Sequence, residues 1–180
     1  IRFFECVNKF DSDAEFEIIT KDDKEIIYSN LKLNEVISEK INIKKATTKE
    51  MPSFLKTHSA SAMFFNSGVS KLGSSPTRFG ELLSTGRPII CNSGVGDLDN
   101  IIKDHKVGII VKDKSKISMQ RAVEELYELI SDKETSIRCR NLAESFYSLS
   151  FGSEKYSIIY KSLFDTYKRS WWKFQIHWKV

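Results

Sequence analysis

The chain has 180 residues, the usual size of one domain, and its 41% hydrophobic and 29% charged residues allow a sizeable core in a soluble chain. Its net charge of +4 favours phosphate-bearing ligands or an anionic membrane surface. We expect no nucleic-acid partner, because no arginine-rich or aromatic-interleaved platform is present, and no membrane span, because no apolar run approaches ~20 residues.

Strand and helix patterns alternate along the chain, which predicts a parallel sheet with helices on both faces. Residues 1–10 form the first predicted helix, with Phe3, Phe4 and Val7 on one side. Residues 25–40 fit either a short helix or an irregular segment. The predicted strands, in chain order, are 16–20, 41–46, 60–65, 88–92 and 106–112. Helices are predicted to open at Thr48, at Pro76 and at Asp97.

Beyond the last predicted strand the apolar residues recur at helical spacing, as in Met119, Val123 and Leu126. Two further helices are predicted, over residues 133–149 and 153–177. We therefore expect no strand after residue 112.

The three cysteines predict a reducing environment. Cys6, Cys91 and Cys139 are odd in number and lack metal-ligand spacing, so free thiols are expected. Cys91 lies in an apolar strand and is expected in the core. With no signal peptide recognised, we expect a cytoplasmic protein, at most peripheral to the inner face of the membrane.

The segment from Ser74 to Ile90 carries the clearest local signals. Ser75 suits an N-cap, Pro76 suits the first helical position, and Gly86 suits a left-handed C-cap. The amino end of such a helix has exposed amides and a positive dipole, and Arg78 adds a guanidinium beside it. The pattern predicts an anion site that suits a phosphate.

A second turn of the same kind follows the next predicted strand. Gly94 and Gly96 lie between that strand and a short helix, so two strand-to-helix turns are expected at one edge of the sheet. Asp97 and Asp99 fit a metal pair by spacing. Their place at a helix start is better explained by capping and by the helix dipole.

The residues from Asn66 to Val111 resemble the donor-binding C-terminal domain of retaining "group 1" glycosyltransferases of the GT-B fold, in the branch that builds bacterial surface polysaccharides. The resemblance rests on the Ser-Pro-Thr-Arg-Phe-Gly-Glu motif, which ends at Glu81, and on the Gly-x-Pro before a hydrophobic strand. Gly73 stands where the family has its first glutamate. That departure leaves the contact to the transferred sugar in doubt.

The resemblance implies an α/β fold with a Rossmann-like doubly wound parallel sheet and C-terminal helices, one half of a GT-B enzyme. Residues 1–150 would be the nucleotide-sugar domain, lacking its first strand, and residues 151–180 a crossover helix and tail. The partner would be an N-terminal Rossmann-like domain that binds the acceptor. Without it, the chain is expected to transfer no sugar.

The resemblance also assigns the site. Arg78 would stabilise charge on the departing diphosphate, and Glu81 would hold the ribose hydroxyls. The other donor-binding residues would be Ser75, Pro76, Thr77, Lys71, Ser74, Lys45, Ala46, Thr47 and Gly94. No metal or other cofactor is expected beyond the nucleotide-diphosphate sugar substrate. Two alternatives stay open: Arg78 could pair with a carboxylate, and Lys71 could be a solvated surface lysine.

Two further questions stay open at this point. The aromatic and basic tail from Trp171 to Val180 fits a docking surface for the N-terminal domain, and it also fits a membrane-interface segment. A non-catalytic nucleotide-sugar-binding module, or one subunit of a two-chain transferase, is the alternative to a glycosyltransferase donor half.

Overall fold

Short parallel strands and longer helices alternate along the chain. The computed structural model describes residues 2–31, 39–66 and 68–175, with the side chains of all except 30, 31 and 168–175. The strands are β1 (Phe16–Ile19), β2 (Ile41–Lys44), β3 (Ser61–Met63), β4 (Ile89–Asn92) and β5 (Gly108–Val111). The helices are α1 (Arg2–Phe10), α2 (Lys24–Leu31), α3 (Met51–Thr57), α4 (Val69–Leu72), α5 (Thr77–Ser84), α6 (Leu98–His105), α7 (Lys116–Ser131), α8 (Lys133–Tyr147) and α9 (Leu149–Gln175).

The described strands form two parallel sheets. β1 pairs with β2, and β4 pairs with β3 on one side and β5 on the other. The prediction of an α/β fold with parallel strands is confirmed. The prediction of one continuous sheet is wrong for the described residues, because no ladder joins the first sheet to the second.

Strand β4 lies in the core between two layers of helices. Its side chains alternate between the two faces of the sheet, and helices cover both faces. Ile89 and Cys91 pack on one face against α5, α6 and α8, while Ile90 packs on the other face against α1 and α7. All three side chains are at most 1% exposed. The second sheet therefore has helices on both faces, as the alternating pattern predicted.

The cysteines are free and buried, which confirms both expectations about them. Burial, aided by the nearby Asp99 carboxylate, raises the pKa of the Cys91 thiol to about 12. Burial raises the pKa of the Cys139 thiol to about 11, against the opposing charge of Arg138. Both thiols are therefore protonated at neutral pH and unreactive in the folded chain.

The start of α3 differs from the prediction that Thr48 caps it. The helix begins at Met51, with Glu50 in the capping position. The Glu50 carboxylate accepts hydrogen bonds from the Thr47 N–H at 2.8 Å and the Thr47 hydroxyl at 2.7 Å. These bonds lower the pKa of Glu50. They engage Thr47, the residue before the predicted cap Thr48.

Other boundaries move for local reasons. β3 is shorter than the predicted strand over 60–65, and its central residue Ala62 is exposed. Lys106 ends α6 in the left-handed conformation, with φ 51°, so the last strand begins at Gly108. The four-residue helix α4 was not predicted.

A single residue, Ser148, separates the last two helices, α8 and α9. The proposed boundary at residue 150 therefore falls inside α9. The interpretations of the tail concern residues 176–180 and the side chains of 168–175, which lie outside the description. None of the helices in the described ranges combines the length and apolarity that crossing a bilayer requires.

Replacing Gly80 by alanine is expected to destabilise the fold. The added Cβ would lie 2.6 Å from the Tyr147 Cβ, so α5 and α8 would have to move apart. We expect Gly80→Ala to lower the free energy of unfolding by about 1–3 kcal/mol, measured by urea denaturation.

Gly152→Ala is the matched control, because Gly152 is also helical and an added Cβ there meets nothing within 4 Å. It should leave stability unchanged or raise it by about 0.5–1 kcal/mol through helix propensity. Equal stabilities of the two variants would show that the α5–α8 contact tolerates separation.

Candidate anion-binding site

Helix α5 packs one buried face against the second sheet and presents the other face to solvent. Phe79, Gly80 and Leu83 are buried, and the Phe79 ring lies edge-on to Tyr147 with 5.6 Å between ring centroids. Thr85 is the C-cap, and Gly86 follows it with φ +76°, so the predicted left-handed glycine stands one position after the cap. The exposed face carries the charged residues of the candidate site.

The amino end of α5 is open. Pro76, with an extended ψ of 116°, occupies the N-cap, and no side chain caps the helix. The prediction that Ser75 is the N-cap and Pro76 the first helical residue is therefore wrong by one position. Because proline has no capping oxygen, the first-turn amides depend on the Pro76 carbonyl, which accepts from Phe79 N–H at 3.0 Å, and on solvent.

Two charges lie on the exposed face of α5, three residues apart and so on neighbouring positions of one helix face. Arg78 and Glu81 are both exposed. Within the described ranges, neither side chain forms a hydrogen bond or ion pair. The pairing of Arg78 with a carboxylate, left open by the sequence, is therefore not present among these residues.

The loops that follow β3 and β4 contact one another directly. Gly96 N–H donates to the Lys71 carbonyl at 2.8 Å, and the same carbonyl accepts from Ser74 N–H at 3.1 Å. Ser74 also donates its hydroxyl to the Ser70 carbonyl at 3.1 Å. The backbones approach so closely that a Cβ at Gly96 would collide with the Ser74 carbonyl oxygen.

Lys71 is held by an aromatic contact. Its Nζ lies 5.8 Å from the centroid of the Phe65 ring. Phe65 N–H in turn donates to Asn92 Oδ1 at 2.7 Å, which ties the chain after β3 to the end of β4. Lys71 is half-buried and forms no ion pair among the described residues, so it is more fixed than a fully solvated lysine.

Asp99 organises the loop after β4. Its carboxylate accepts from the Ser93 hydroxyl at 2.5 Å and from Gly94 N–H at 3.3 Å. The Gly94 amide is therefore occupied by the Asp99 carboxylate in this conformation and is not available to an anionic ligand. Asp97 takes the N-cap position of α6, without a side-chain hydrogen bond. Across the described ranges, no three His, Cys, Asp or Glu side chains converge as metal ligands would.

The loop after β2 is the third part of the predicted site. Lys45 is exposed, Ala46 is half-buried, and Thr47 is engaged with Glu50. Their strand belongs to the first sheet, and none of the described hydrogen bonds joins them to Lys71, Ser74 or α5. The structure thus joins the loops after β3 and β4 by hydrogen bonds, and among the described residues it shows no hydrogen bond from either to the loop after β2.

Sequence reasoning missed three contacts in this region: Asp99 with the Gly94 turn, Asn92 with Phe65, and Gly96 with Lys71. Two of them had a signal, because an aspartate in the first turn after a glycine loop and an asparagine at a strand end are frequent loop-closing residues. A comparison with models of known protein families finds no match. A comparison with curated proteins finds no similar sequence either.

The crossing of the two loops predicts a difference between two glycine variants. Gly94 and Gly96 both have positive φ, +84° and +51°, so alanine is strained at either position. At Gly94 the added Cβ meets nothing within 4 Å, whereas at Gly96 it meets Ser74 backbone.

We expect Gly94→Ala to cost about 1–2 kcal/mol of unfolding free energy and Gly96→Ala about 1–3 kcal/mol more, by urea denaturation. If the Gly96→Ala and Gly94→Ala variants are equally stable, the loops after β3 and β4 can move apart without loss of unfolding free energy.

Proposed function

We propose that this chain is the donor-binding half of a glycosyltransferase, which takes its sugar from a nucleotide-diphosphate donor. The observation that carries the proposal is the open amino end of α5, with Arg78 and Glu81 on its exposed face and in no ion pair with the part of the chain that the structure describes. The Ser-Pro-Thr-Arg-Phe-Gly-Glu motif, shared with the GT-B glycosyltransferases that the sequence resembles, spans the same residues. It supports a nucleotide rather than another anion.

The diphosphate would lie at the amino end of α5. Uncapped amides of Thr77 and Arg78 and the helix dipole favour negative charge there. The Arg78 guanidinium is free to form bidentate hydrogen bonds with phosphate oxygens, as planar guanidinium groups do. Lys71, fixed over Phe65, supplies a second positive charge on the preceding loop.

These same groups would act on the chemistry. When the bond between sugar and diphosphate breaks, negative charge grows on the leaving phosphate. Donors fixed in place beforehand stabilise that charge more than they stabilise the bound donor. Arg78 and the amides of α5 are therefore assigned to the leaving group, and no proton transfer is assigned to this half.

Glu81 is assigned to the ribose. It lies one turn further along α5 than Arg78, on the same exposed face, and its two oxygens can accept from two adjacent hydroxyls. The loop from Lys45 to Thr47 is assigned to the nucleobase. Since this loop follows a strand of the first sheet, a nucleotide would have to bridge the carboxyl ends of both sheets.

Transfer itself is assigned to the assembled enzyme, in which an N-terminal Rossmann-like domain binds the acceptor. A non-catalytic nucleotide-sugar-binding module, or a subunit of a two-chain transferase, is the second candidate. Gly73 favours it, because this position lacks the family's glutamate and is exposed at the end of α4. Both candidates require the same nucleotide site.

The first test is Arg78→Ala. The ligand is whichever of UDP, GDP and ADP gives the largest thermal shift, and its nucleoside is titrated alongside. We expect the variant to weaken diphosphate binding by about 1.5–3 kcal/mol, measured by calorimetry, because it loses charged hydrogen bonds. The loss should shrink as salt rises.

Arg121→Ala removes another exposed arginine, on α7, and should leave binding unchanged. Nucleoside binding should change little in both variants. If the nucleoside loses as much affinity as the diphosphate in Arg78→Ala, Arg78 lies outside the phosphate site. If none of the three diphosphates binds the parent chain, the proposed function fails.

Glu81→Gln tests the ribose assignment. The parent chain should prefer the ribonucleotide to its 2′-deoxy analogue, because a carboxylate accepts from both hydroxyls and glutamine reproduces only one of these contacts. The variant should lose about 1–3 kcal/mol of affinity for the ribonucleotide and most of that preference, measured by calorimetry with both ligands.

Glu124→Gln, at an exposed position of α7, is the control for removing one negative charge. It should keep the parent preference. If the Glu81→Gln variant keeps the parent ratio of ribonucleotide to 2′-deoxynucleotide affinity, Glu81 does not hold the ribose and is only a solvated surface residue.

A further inference from the structure

Helix α9 is exposed on all sides after its first turn. At its start, the Phe151 ring lies 5.9 Å from the Phe146 ring of α8, measured between centroids, and Lys155 Nζ lies 5.2 Å from the centroid of Phe151. From there on, every residue from 153 to 167 is exposed. A helix that packs on a core buries one of its faces, but no face of this part of α9 is buried.

The exposed part of α9 is nonetheless apolar on one face. Successive residues of a helix are rotated by about 100°, which places six large apolar side chains in one half of its circumference. They are between 53% and 67% exposed, and they are Tyr156, Ile159, Tyr160, Leu163, Phe164 and Tyr167. We call this set the apolar face of α9. The charged residues Glu154, Lys161 and Asp165 lie on the opposite side of the helix.

The apolar face is large enough for a specific interface. At these exposures, six side chains of this size present roughly 700 Å² of accessible surface. A specific interface buries about 600–1,000 Å² on each partner, whereas single-chain proteins seldom leave an apolar patch of more than a few hundred Å² uncovered. The apolar face therefore has the size of one half of a dimer interface.

The spacing along the apolar face is that of a coiled coil. The residues along its centre recur at intervals of four, three and four, and they are Tyr156, Tyr160, Leu163 and Tyr167. We call these four residues the seam. The Tyr156 and Tyr160 rings stack on each other with 6.5 Å between centroids, so the first two seam residues form a continuous aromatic surface.

The seam has the same spacing from either end, which makes it complementary to a reversed copy of itself. In an antiparallel pair centred between residues 161 and 162, Tyr160 lies opposite Leu163 and Tyr156 lies opposite Tyr167. Each seam residue then has a partner across the interface. A two-fold axis generates such an interface from a single surface. The helix dipoles, which oppose each other in this arrangement, also favour it.

The residues beside the seam fit the same arrangement. A two-fold axis keeps each flank of the seam on its own side, so Ile159 lies opposite Thr166, and Phe164 lies opposite Ser157 of the second copy. A large apolar side chain therefore meets a small one on both flanks. Neither the seam nor its flanks carry a charged residue, so the pairing buries no charge.

We propose that the apolar face of α9 is a dimerisation surface, which binds the same face of a second copy of this chain in antiparallel order. The occupant is a second copy because the seam and its flanks are self-complementary, a property that binding to a lipid surface does not require. The proposal does not depend on nucleotide binding, because no residue of the candidate anion site lies on α9.

The first test is the oligomeric state of the full chain, measured by sedimentation equilibrium. We expect a dimer with a dissociation constant in roughly the micromolar range. Leu163→Glu should raise that constant by about 100-fold or more, because the two-fold axis would bury two carboxylates without a partner.

Ile158→Glu is the matched control. Ile158 is 55% exposed and Leu163 is 59% exposed, but Ile158 lies on the opposite side of α9. The control should keep the parent dissociation constant within about twofold. A parent chain that stays monomeric at about 1 mM would overturn the proposal, as would equal weakening by the two variants. A monomeric parent that binds vesicles of phosphatidylcholine and phosphatidylserine, with loss of binding in Leu163→Glu, would make the apolar face a membrane surface instead.

Cysteine cross-linking tests the antiparallel order. A mixture of Tyr156→Cys chains and Tyr167→Cys chains should form a disulfide between copies under mild oxidation by oxidised glutathione, because the two positions lie opposite each other. Neither variant should cross-link alone, because the antiparallel order separates the two copies of residue 156, like those of residue 167, by about 16 Å along the helix. The native thiols are buried and do not compete. Cross-linking of Tyr156→Cys with itself would indicate parallel helices and overturn the proposal.

Discussion

The close packing of α5 on α8 is the constraint on which the candidate site depends. Gly80 leaves no space for a side chain against Tyr147, and Phe79 is fully buried beside it. This contact fixes the rotation of α5, and the rotation decides which residues face solvent. Arg78 and Glu81 are exposed because Phe79 and Leu83 are not, so the chemistry of the site follows from the shape of the core.

The site combines a helix end without a side-chain cap and two charges, Arg78 and Glu81, that form no ion pair among the described residues. Arg78 and Glu81 remain hydrated, so keeping them unpaired costs little in the free chain. By contrast, Asp99 is engaged with Ser93 and Gly94, which keeps its negative charge in the neighbouring loop. Together these features leave the amino end of α5, Arg78 and Glu81 facing solvent, while the loop after β4 is stabilised internally.

Features set by local chemistry were predictable from the sequence. Gly86 predicted the end of α5, and the apolar run after it predicted the position of β4. Both predictions succeed because a helix end and a buried strand depend on neighbouring residues in the sequence. The exact cap was not predictable. The loop before the helix contacts Gly96, a tertiary contact that the identities of neighbouring residues do not reveal. The break between the two sheets is likewise a tertiary property, since periodicity identifies strands without naming their neighbours.

The burial of Cys6, Cys91 and Cys139 has a consequence for the motions of the chain. Each thiol lies in a different element: α1, β4 and α8. A thiol reagent can reach each of them only when its own element opens transiently, because alkylation requires an accessible thiolate. The alkylation rates of the three cysteines therefore report three separate motions: fraying of α1, opening of the central strand β4 and detachment of α8.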